Sequence, residues 1–259
     1  MSLELRRIVA GYPAHGSREA RHEVLHEVDF DASPGSITAV LGPNGVGKTT
    51  LLNVALGWIT PWAGTVSVEG RDLRTLTGAE RGRLLSLVPQ TDHVAFEYSI
   101  LEYVLLGRAP YVGSMQSPSA GDVEIARAAL EQVGMGAMAG RGILETSAGE
   151  RQLVLLARAL AQEPRTLLLD EPSAHLDLAN KRRLVGLLQA QADTGRSIVL
   201  TVHEPEFAAA LATTVVLLRE GTVLAAGPPE EVLTGALLSR LYGISISVHR
   251  SDGRALFAW

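Results

Sequence analysis

Short apolar runs, broken by Gly, Pro and Ser, dominate the first third of this chain. Leu3–Ala10, Val24–Ala32, Ser36–Leu41 and Gly64–Glu69 each have the apolar content of a strand. Pro13–His22, polar and charged, reads as the loop between the first two, and Arg83–Val88 is a further strand candidate ending at Pro89-Gln90. The pattern then changes. Ser99-Ile100-Leu101-Glu102 has capping-box spacing and predicts a helix through Leu106. Pro110–Gly121 reads as a loop, and Val123, Ala126, Ala129, Leu130 and Val133 share one helical face, predicting a helix over Asp122–Val133. Thr166–Asp170 and Ser197–Val202 are continuous apolar runs of the kind found in strands buried on both faces, with a helix over Ala179–Ala192 between them. That alternation implies a parallel sheet. Val215–Leu218 and Thr222–Ala225 flank a turn at Arg219-Glu220-Gly221, Pro228–Leu241 reads as helix, and Ile244–Arg250 with Arg254–Trp259 reads as a hairpin around Ser251-Asp252-Gly253.

Composition narrows the function classes. The 259 residues are 46% apolar and 20% charged, an ordinary globular balance with room for a large core. Net charge is −5 and no run of Lys or Arg suggests a nucleic-acid surface; Lys181-Arg182-Arg183 reads as the solvated face of a helix. The lack of cysteine excludes disulfides and thiolate metal sites. No signal pattern is visible and no apolar run approaches the ~20 residues of a spanning helix, so any membrane connection is expected to run through a partner.

The chemistry begins at Gly42-Pro43-Asn44-Gly45-Val46-Gly47-Lys48-Thr49-Thr50, which fits G-x-x-x-x-G-K-[ST] between a strand and a helix. The glycines let the backbone turn successive N–H groups toward one anion at a helix N-terminus. Lys48 is expected to reach the β- and γ-phosphates, and the Thr49 hydroxyl to take one position on Mg²⁺. The alternative is a glycine-rich turn that binds nothing. A second clue is Thr166-Leu167-Leu168-Leu169-Asp170-Glu171-Pro172, which sets two carboxylates at the C-terminal edge of a buried strand, where ligands of such sheets collect. Asp170 can hold Mg²⁺ while Glu171, expected to be the more desolvated, accepts a proton from water. A solvated acidic turn is the alternative. His203 follows the next buried strand and can bond a γ-phosphate or orient water; Gln90, after its own apolar strand, can contact Mg²⁺ or the water.

In this order these residues resemble the ATP-binding subunits of ABC transporters, from about Leu3 to Ala226. The resemblance implies an α/β P-loop nucleotide-binding domain with an N-terminal antiparallel β subdomain, a parallel sheet core and a helical insert. It makes the whole chain one ATPase domain, with residues 1–91 and 164–243 as catalytic core, 92–163 as helical subdomain and 244–259 as a C-terminal hairpin. It identifies Tyr12 with the residue that stacks on adenine, Gln90 with the Q-loop glutamine, Asp170 and Glu171 with the Walker B aspartate and catalytic glutamate, and His203 with the switch histidine. Ser173-Ala174-His175-Leu176-Asp177 is similar to the D-loop, and Thr146-Ser147-Ala148-Gly149-Glu150-Arg151-Gln152 stands where the family signature stands. Ser147, Gly149, Glu150 and Asp177 are then expected to complete the ATP site of a second subunit. Thr146 and Ala148 depart from the family's Leu and first signature Gly, and Ala148 costs most if that position needs positive φ.

Three further stretches resemble the iron–siderophore, haem and cobalamin importer ATPases: Leu106-Gly107-Arg108-Ala109-Pro110-Tyr111, His175-Leu176-Asp177-Leu178 and Leu241-Tyr242-Gly243-Ile244. The implied partners are permease subunits, a second ATPase subunit in a homodimer and, indirectly, a substrate-binding protein, with the chain peripheral on the cytoplasmic face of the inner membrane. Val94, Phe96, Tyr98 and Tyr103 are candidates for the permease groove or for the insert's own core. Rival readings are a cassette acting on DNA or ribosomes, an exporter module, a P-loop kinase and a silent partner of a heterodimer.

Overall fold

The computed structural model describes residues 2–259 apart from 14–20, 93, 95, 114, 175, 252 and 253. The chain opens with β1 (Leu3–Pro13) and β2 (Arg21–Ala32), whose antiparallel register runs out to Tyr12↔His22 and Pro13↔Arg21. The loop expected over Pro13–His22 is therefore shorter: its ends are paired strand, and 14–20 lie outside the described residues. β3 (Ile37–Leu41) passes through the glycine turn into α1 (Lys48–Ala55). β4 (Ala63–Val68) and the short β5 (Arg71–Asp72) complete an antiparallel sheet of order β2-β1-β4-β5. The strand expected over Arg83–Val88 is partly helix. Thr77 and Glu80 form a reciprocal capping box, α2 (Gly78–Leu84) follows, and only β6 (Leu85–Val88) is extended.

The middle of the chain is helical, as its period predicts. α3 (Ile100–Leu105) starts at the Ser99–Glu102 box and tightens into a 3₁₀ turn over Leu106–Tyr111, which takes the first residues of the expected loop. α4 (Ala120–Gln132) begins two residues early because Ser119 and Asp122 make a further box, and α5 (Ala148–Ala161) begins at another, formed by Ser147 and Glu150. Arg108 ties these pieces together from a buried position. Its guanidinium donates to Asp122 (2.9 Å), to the Ala161 carbonyl (2.7 Å) and to Glu163 (2.7 Å), joining the 3₁₀ turn to the start of α4 and the end of α5.

β7 (Thr166–Asp170), α6 (Leu178–Asp193) and β8 (Ser197–Val202) lie where the sequence pattern puts them. Lys181 is not merely solvated, for it pairs with Glu204, and Arg183 donates to the Val133 carbonyl at the end of α4. α7 (Pro205–Leu211) is a helix the pattern did not suggest, although Pro at a first helical position is a start signal. β9 (Thr214–Arg219) and β10 (Thr222–Gly227) form a hairpin. The helix expected over Pro228–Leu241 is two, α8 (Pro229–Val232) and α9 (Gly235–Tyr242), because Thr234 is extended and caps α9 instead of continuing α8. β11 (Ser247–Ser251) and β12 (Arg254–Ala258) give the expected terminal hairpin; Asp252 and Gly253 of its turn lie outside the described residues.

The second sheet has the order β10-β9-β3-β8-β7-β6, and all pairings but β10–β9 are parallel. Its parallel strands alternate between two cores. Ile37, Ala39, Leu41, Leu167, Leu169, Ile198, Leu200 and Val202 face the core shared with the helices that follow, while Val40, Leu168 and Val199 face α1 and the antiparallel sheet. This two-sided burial is why the strands read as unbroken apolar runs. Parallel strands end on the same side, so the turns after Leu41, Val88, Asp170 and Val202 emerge at one sheet edge.

Candidate nucleotide-hydrolysis site

The turn after β3 works because of its glycines. Gly45 (φ 77°) and Gly47 (φ 107°) are left-handed, and a β-carbon on Gly47 would stand 2.9 Å from Leu25 Cδ2. Gly42 answers a different need: a β-carbon there would lie 2.4 Å from the Leu218 carbonyl oxygen. Val46 is buried in the core beneath α1. Gly47 offers no side-chain acceptor to the first N–H groups of α1, the arrangement that receives anions. Lys48 is buried, and its ammonium donates to the carbonyls of Gly42 (2.8 Å) and Pro43 (3.1 Å).

A cavity of about 490 Å³ opens beside this turn. Tyr12, His22 and Val24 line it from the antiparallel sheet, Asn44, Gly45, Gly47, Lys48, Thr49 and Thr50 from the turn and α1, and Gln90 and Glu171 from the parallel sheet's edge. The Tyr12 hydroxyl lies 3.2 Å from the Thr50 hydroxyl, and the residue is 42% exposed, so its ring can stack on a planar ligand. A larger cavity, about 630 Å³, lies elsewhere, between α2, β6 and the 3₁₀ turn at Leu106–Tyr111. It carries none of the phosphate-turn residues.

The two strand-end carboxylates are held differently. Asp170 is buried and accepts from the Thr49 hydroxyl (2.9 Å) through one oxygen and the Thr201 hydroxyl (2.6 Å) through the other. Glu171 is less buried than Asp170, which corrects the expectation that it is the more desolvated of the two. It is distinguished by its surroundings instead. Its backbone is left-handed (φ 46°), its N–H donates to Thr201 Oγ1 (2.9 Å), and its carboxylate gathers Gln90 Nε2 (2.9 Å), Lys48 Nζ (3.4 Å) and His203 Nδ1 (3.6 Å). A carboxylate so placed has one oxygen near a cation and the other near two groups able to orient water.

The other expected site residues stand apart. Gly42, Pro43 and Val46 shape the turn but do not line the cavity. Ser147 and Glu150 bond each other's N–H at the start of α5, where Ser147 and Ala148 are exposed. Ala148 is not at positive φ, so its β-carbon brings no backbone strain. Gly149 lies close to α6: a β-carbon there would meet Asn180 Nδ2 at 2.8 Å, so the Asn180 side chain would have to shift. Asp177, also exposed, caps α6 by accepting from the Asn180 N–H (2.7 Å). The starts of α5 and α6 are thus neighbours; His175, between β7 and α6, lies outside the described residues.

Of the four groove candidates, Tyr103 is buried against Arg158, Val94 and Tyr98 pack on the core, and Phe96 is exposed in an edge-to-face pair with Tyr98. Sequence reading missed His22 and Thr201. The strand register opposite Tyr12 points to the first, whereas nothing local in the sequence points to the second, whose partner Asp170 is 31 residues away.

Residues 25–174 match the ABC transporter family. Over 90% of its length the chain is 39% identical to the hemin import ATP-binding protein HmuV of Pseudomonas entomophila, covering 93% of that protein. It is 41% identical to the HmuV of Nocardia farcinica over 90% of this chain and 80% of that one. Against the cobalamin import ATP-binding protein BtuD of Halobacterium salinarum it is 37% identical over 87% of its length, spanning 56% of that relative. Among solved structures, a chain described as belonging to a metal-chelate type ABC transporter in an inward-facing conformation superposes with TM-score 0.83 and 30% identity, over 99% of this chain and 95% of that one. With its phosphate turn, paired carboxylates and strand-end histidine at one sheet edge, this chain belongs to the ABC transporter family and is an ATP-hydrolysing cassette.

Proposed function

We propose that the chain powers a membrane importer for chelates of the haem, cobalamin or iron–siderophore type. The observation that carries this reading is the convergence of Lys48, Asp170, Glu171 and His203 on one sheet edge, in a chain about two-fifths identical to hemin-import ATPases over nine-tenths of its length. In hydrolysis, Glu171 takes the proton of a water whose oxygen attacks the γ-phosphorus. The bond to the β–γ bridging oxygen breaks and ADP leaves. Lys48 balances the charge on the phosphate oxygens, and Gln90 and His203 hold the water and the phosphoryl group against Glu171. Tyr12 stacks on the base.

The donor set fits Mg²⁺. Among the described residues no group of three or more His, Cys, Asp or Glu could hold a metal, yet Thr49 Oγ1 and Asp170 sit 2.9 Å apart beside the phosphate turn. That suits an ion bound by few protein oxygens, with substrate phosphates and water supplying the rest. Thr49 and Asp170 would hold it, with Gln90 at its margin, and when bound it would supply positive charge to offset that of the phosphates.

The exposed starts of α5 and α6 serve a second copy: Ser147, Gly149, Glu150 and Asp177 complete the partner's site in a homodimer. Residues 92–163 act as the helical subdomain against a core of 1–91 and 164–243, followed by the hairpin 244–259. The cavity of about 630 Å³, with the 68% exposed Trp58 at its rim, receives a permease helix. No helix among the described residues is long and apolar enough to cross a membrane, so attachment at the cytoplasmic face comes through the permease, which takes its cargo from a substrate-binding protein. Purification of the tagged chain from its native cells in mild detergent tests this. A stoichiometric many-helix membrane protein is expected to co-purify. Recovery alone, or with ribosomal or DNA-repair components, would sink the importer reading and leave the ATPase site intact.

A further inference from the structure

The stretch Leu241-Tyr242-Gly243 has no part in the site as described so far. Leu238 and Leu241 are buried and anchor α9 in the core, and Gly243 ends that helix in the left-handed conformation (φ 72°). Tyr242, the last residue of α9, is thereby held beside the turn after β8, and its hydroxyl donates to the backbone carbonyl of His203 at 2.9 Å. The same turn is gripped a second time, from α6, where Lys181 pairs with both carboxylate oxygens of Glu204, at 2.8 and 2.6 Å. Glu204 Oε1 in turn lies 3.8 Å from His203 Nε2.

The His203 side chain is 44% exposed, so packing alone does not fix its ring. What fixes the direction of its Cα–Cβ bond is the backbone on either side. A hydrogen bond to the 203 carbonyl sets the plane of the 203–204 peptide, and through it the reach of Nδ1 toward Glu171, now 3.6 Å from Oε2. Burial also pushes the Tyr242 phenol's pKa up, which keeps its proton available as the donor.

We propose that Tyr242 is a positioning residue for ATP hydrolysis, holding His203 in register with Glu171 through the main-chain carbonyl of residue 203. The inference rests on the reading of His203 as the group that orients the γ-phosphate or the attacking water. It assigns to the C-terminal helix a part in the chemistry, although Tyr242 touches no reacting atom.

Tyr242→Phe removes the donor and keeps the half-buried ring. In the full-length protein, kcat for ATP is expected to fall about two- to tenfold, the range of one hydrogen bond, with KM and the thermal midpoint nearly unchanged. The same substitution is then made in a His203→Ala background, where it is expected to change nothing further, since the residue being positioned is gone. An unchanged kcat in Tyr242→Phe, or an equal loss with and without His203, would overturn the proposal and leave Tyr242 a packing residue. Normal turnover in His203→Ala alone would remove the histidine's role and the positioning of it together, an outcome separate from the other two.

Discussion

α1, which begins after Gly47, and α5, which begins after Ser147, treat their first N–H groups in opposite ways. α1 has no side-chain cap and no acidic residue in its first turn. A missing cap costs a helix about 1 kcal/mol, which burial of Leu51, Leu52 and Val54 readily offsets. α5 is closed: Ser147 Oγ accepts from the Glu150 N–H, and the Glu150 carboxylate accepts from the Ser147 N–H at 2.8 Å. The first start leaves its N–H groups open to an external anion and lies in a cavity with Lys48. The second is a capped helix end at the surface, as suits the role in a partner's site proposed for it.

The sharpest way to break that contrast is at the chemistry beside α1. Glu171→Gln keeps the shape of the side chain and removes its basicity. Turnover is expected to fall by about 10²- to 10⁴-fold while ATP still binds, measured by steady-state hydrolysis and nucleotide titration. Near-normal turnover would take Glu171 out of the base role. Gly47→Ala attacks the turn itself. With φ at 107° and Leu25 Cδ2 in the way, the variant is expected to lose about 1–3 kcal/mol of stability and most of its ATP affinity. A binding curve like the parent's would mean that the start of α1 does not receive the phosphates.

These contrasts also mark how far the sequence could be read. The phosphate turn, Asp170-Glu171 and His203 were legible because each follows an apolar run whose length and composition identify a buried parallel strand, and parallel strands deliver their turns to one edge. α2 was hidden because Arg83 and Leu84 join its last turn directly to β6, with no punctuation between helix and strand; only the Thr77–Glu80 spacing betrays it. The break between α8 and α9 was hidden for a related reason, since Thr234 acts as a cap within an otherwise helical pattern. Thr201 and Tyr242 could not be found from local patterns. Their partners are Asp170, 31 residues away, and His203, 39 residues away, contacts that exist only once the sheet has formed. Desolvation misled for the same reason: sequence order does not say which of two adjacent carboxylates the fold covers.

A smaller effect is expected at the start of α5. Ser147→Ala removes the cap and should cost about 1 kcal/mol, a fall in thermal midpoint of about 2–4 °C for a chain of this size. ATP hydrolysis should fall as well if this start completes a neighbour's site, and its loss should be restored less by raising ATP than the loss in Gly47→Ala. Unaltered hydrolysis would confine Ser147 to holding its own helix.

The smallest effect is confined to acid. Glu150 is held below its ordinary 4.5 by the Ser147 N–H first and the Ser147 hydroxyl second, with Arg141 adding a further pull. A carboxyl depressed in the folded state stabilises the fold above its ordinary pKa, and that contribution is lost as pH falls through the lower, folded value. Glu150→Gln keeps an acceptor for the Ser147 N–H but gives up the negative charge at the helix start. The parent should therefore be slightly the more stable of the two near neutral pH, and the gap should close as pH falls below about 4.5 and the parent's carboxyl takes up its proton. Thermal midpoints of both proteins across that interval measure it. A gap that stays constant into acid would mean that hydrogen-bond geometry, and not charge, is what Glu150 supplies to α5. At α1, where no first-turn carboxylate is present, the same titration has no counterpart to lose.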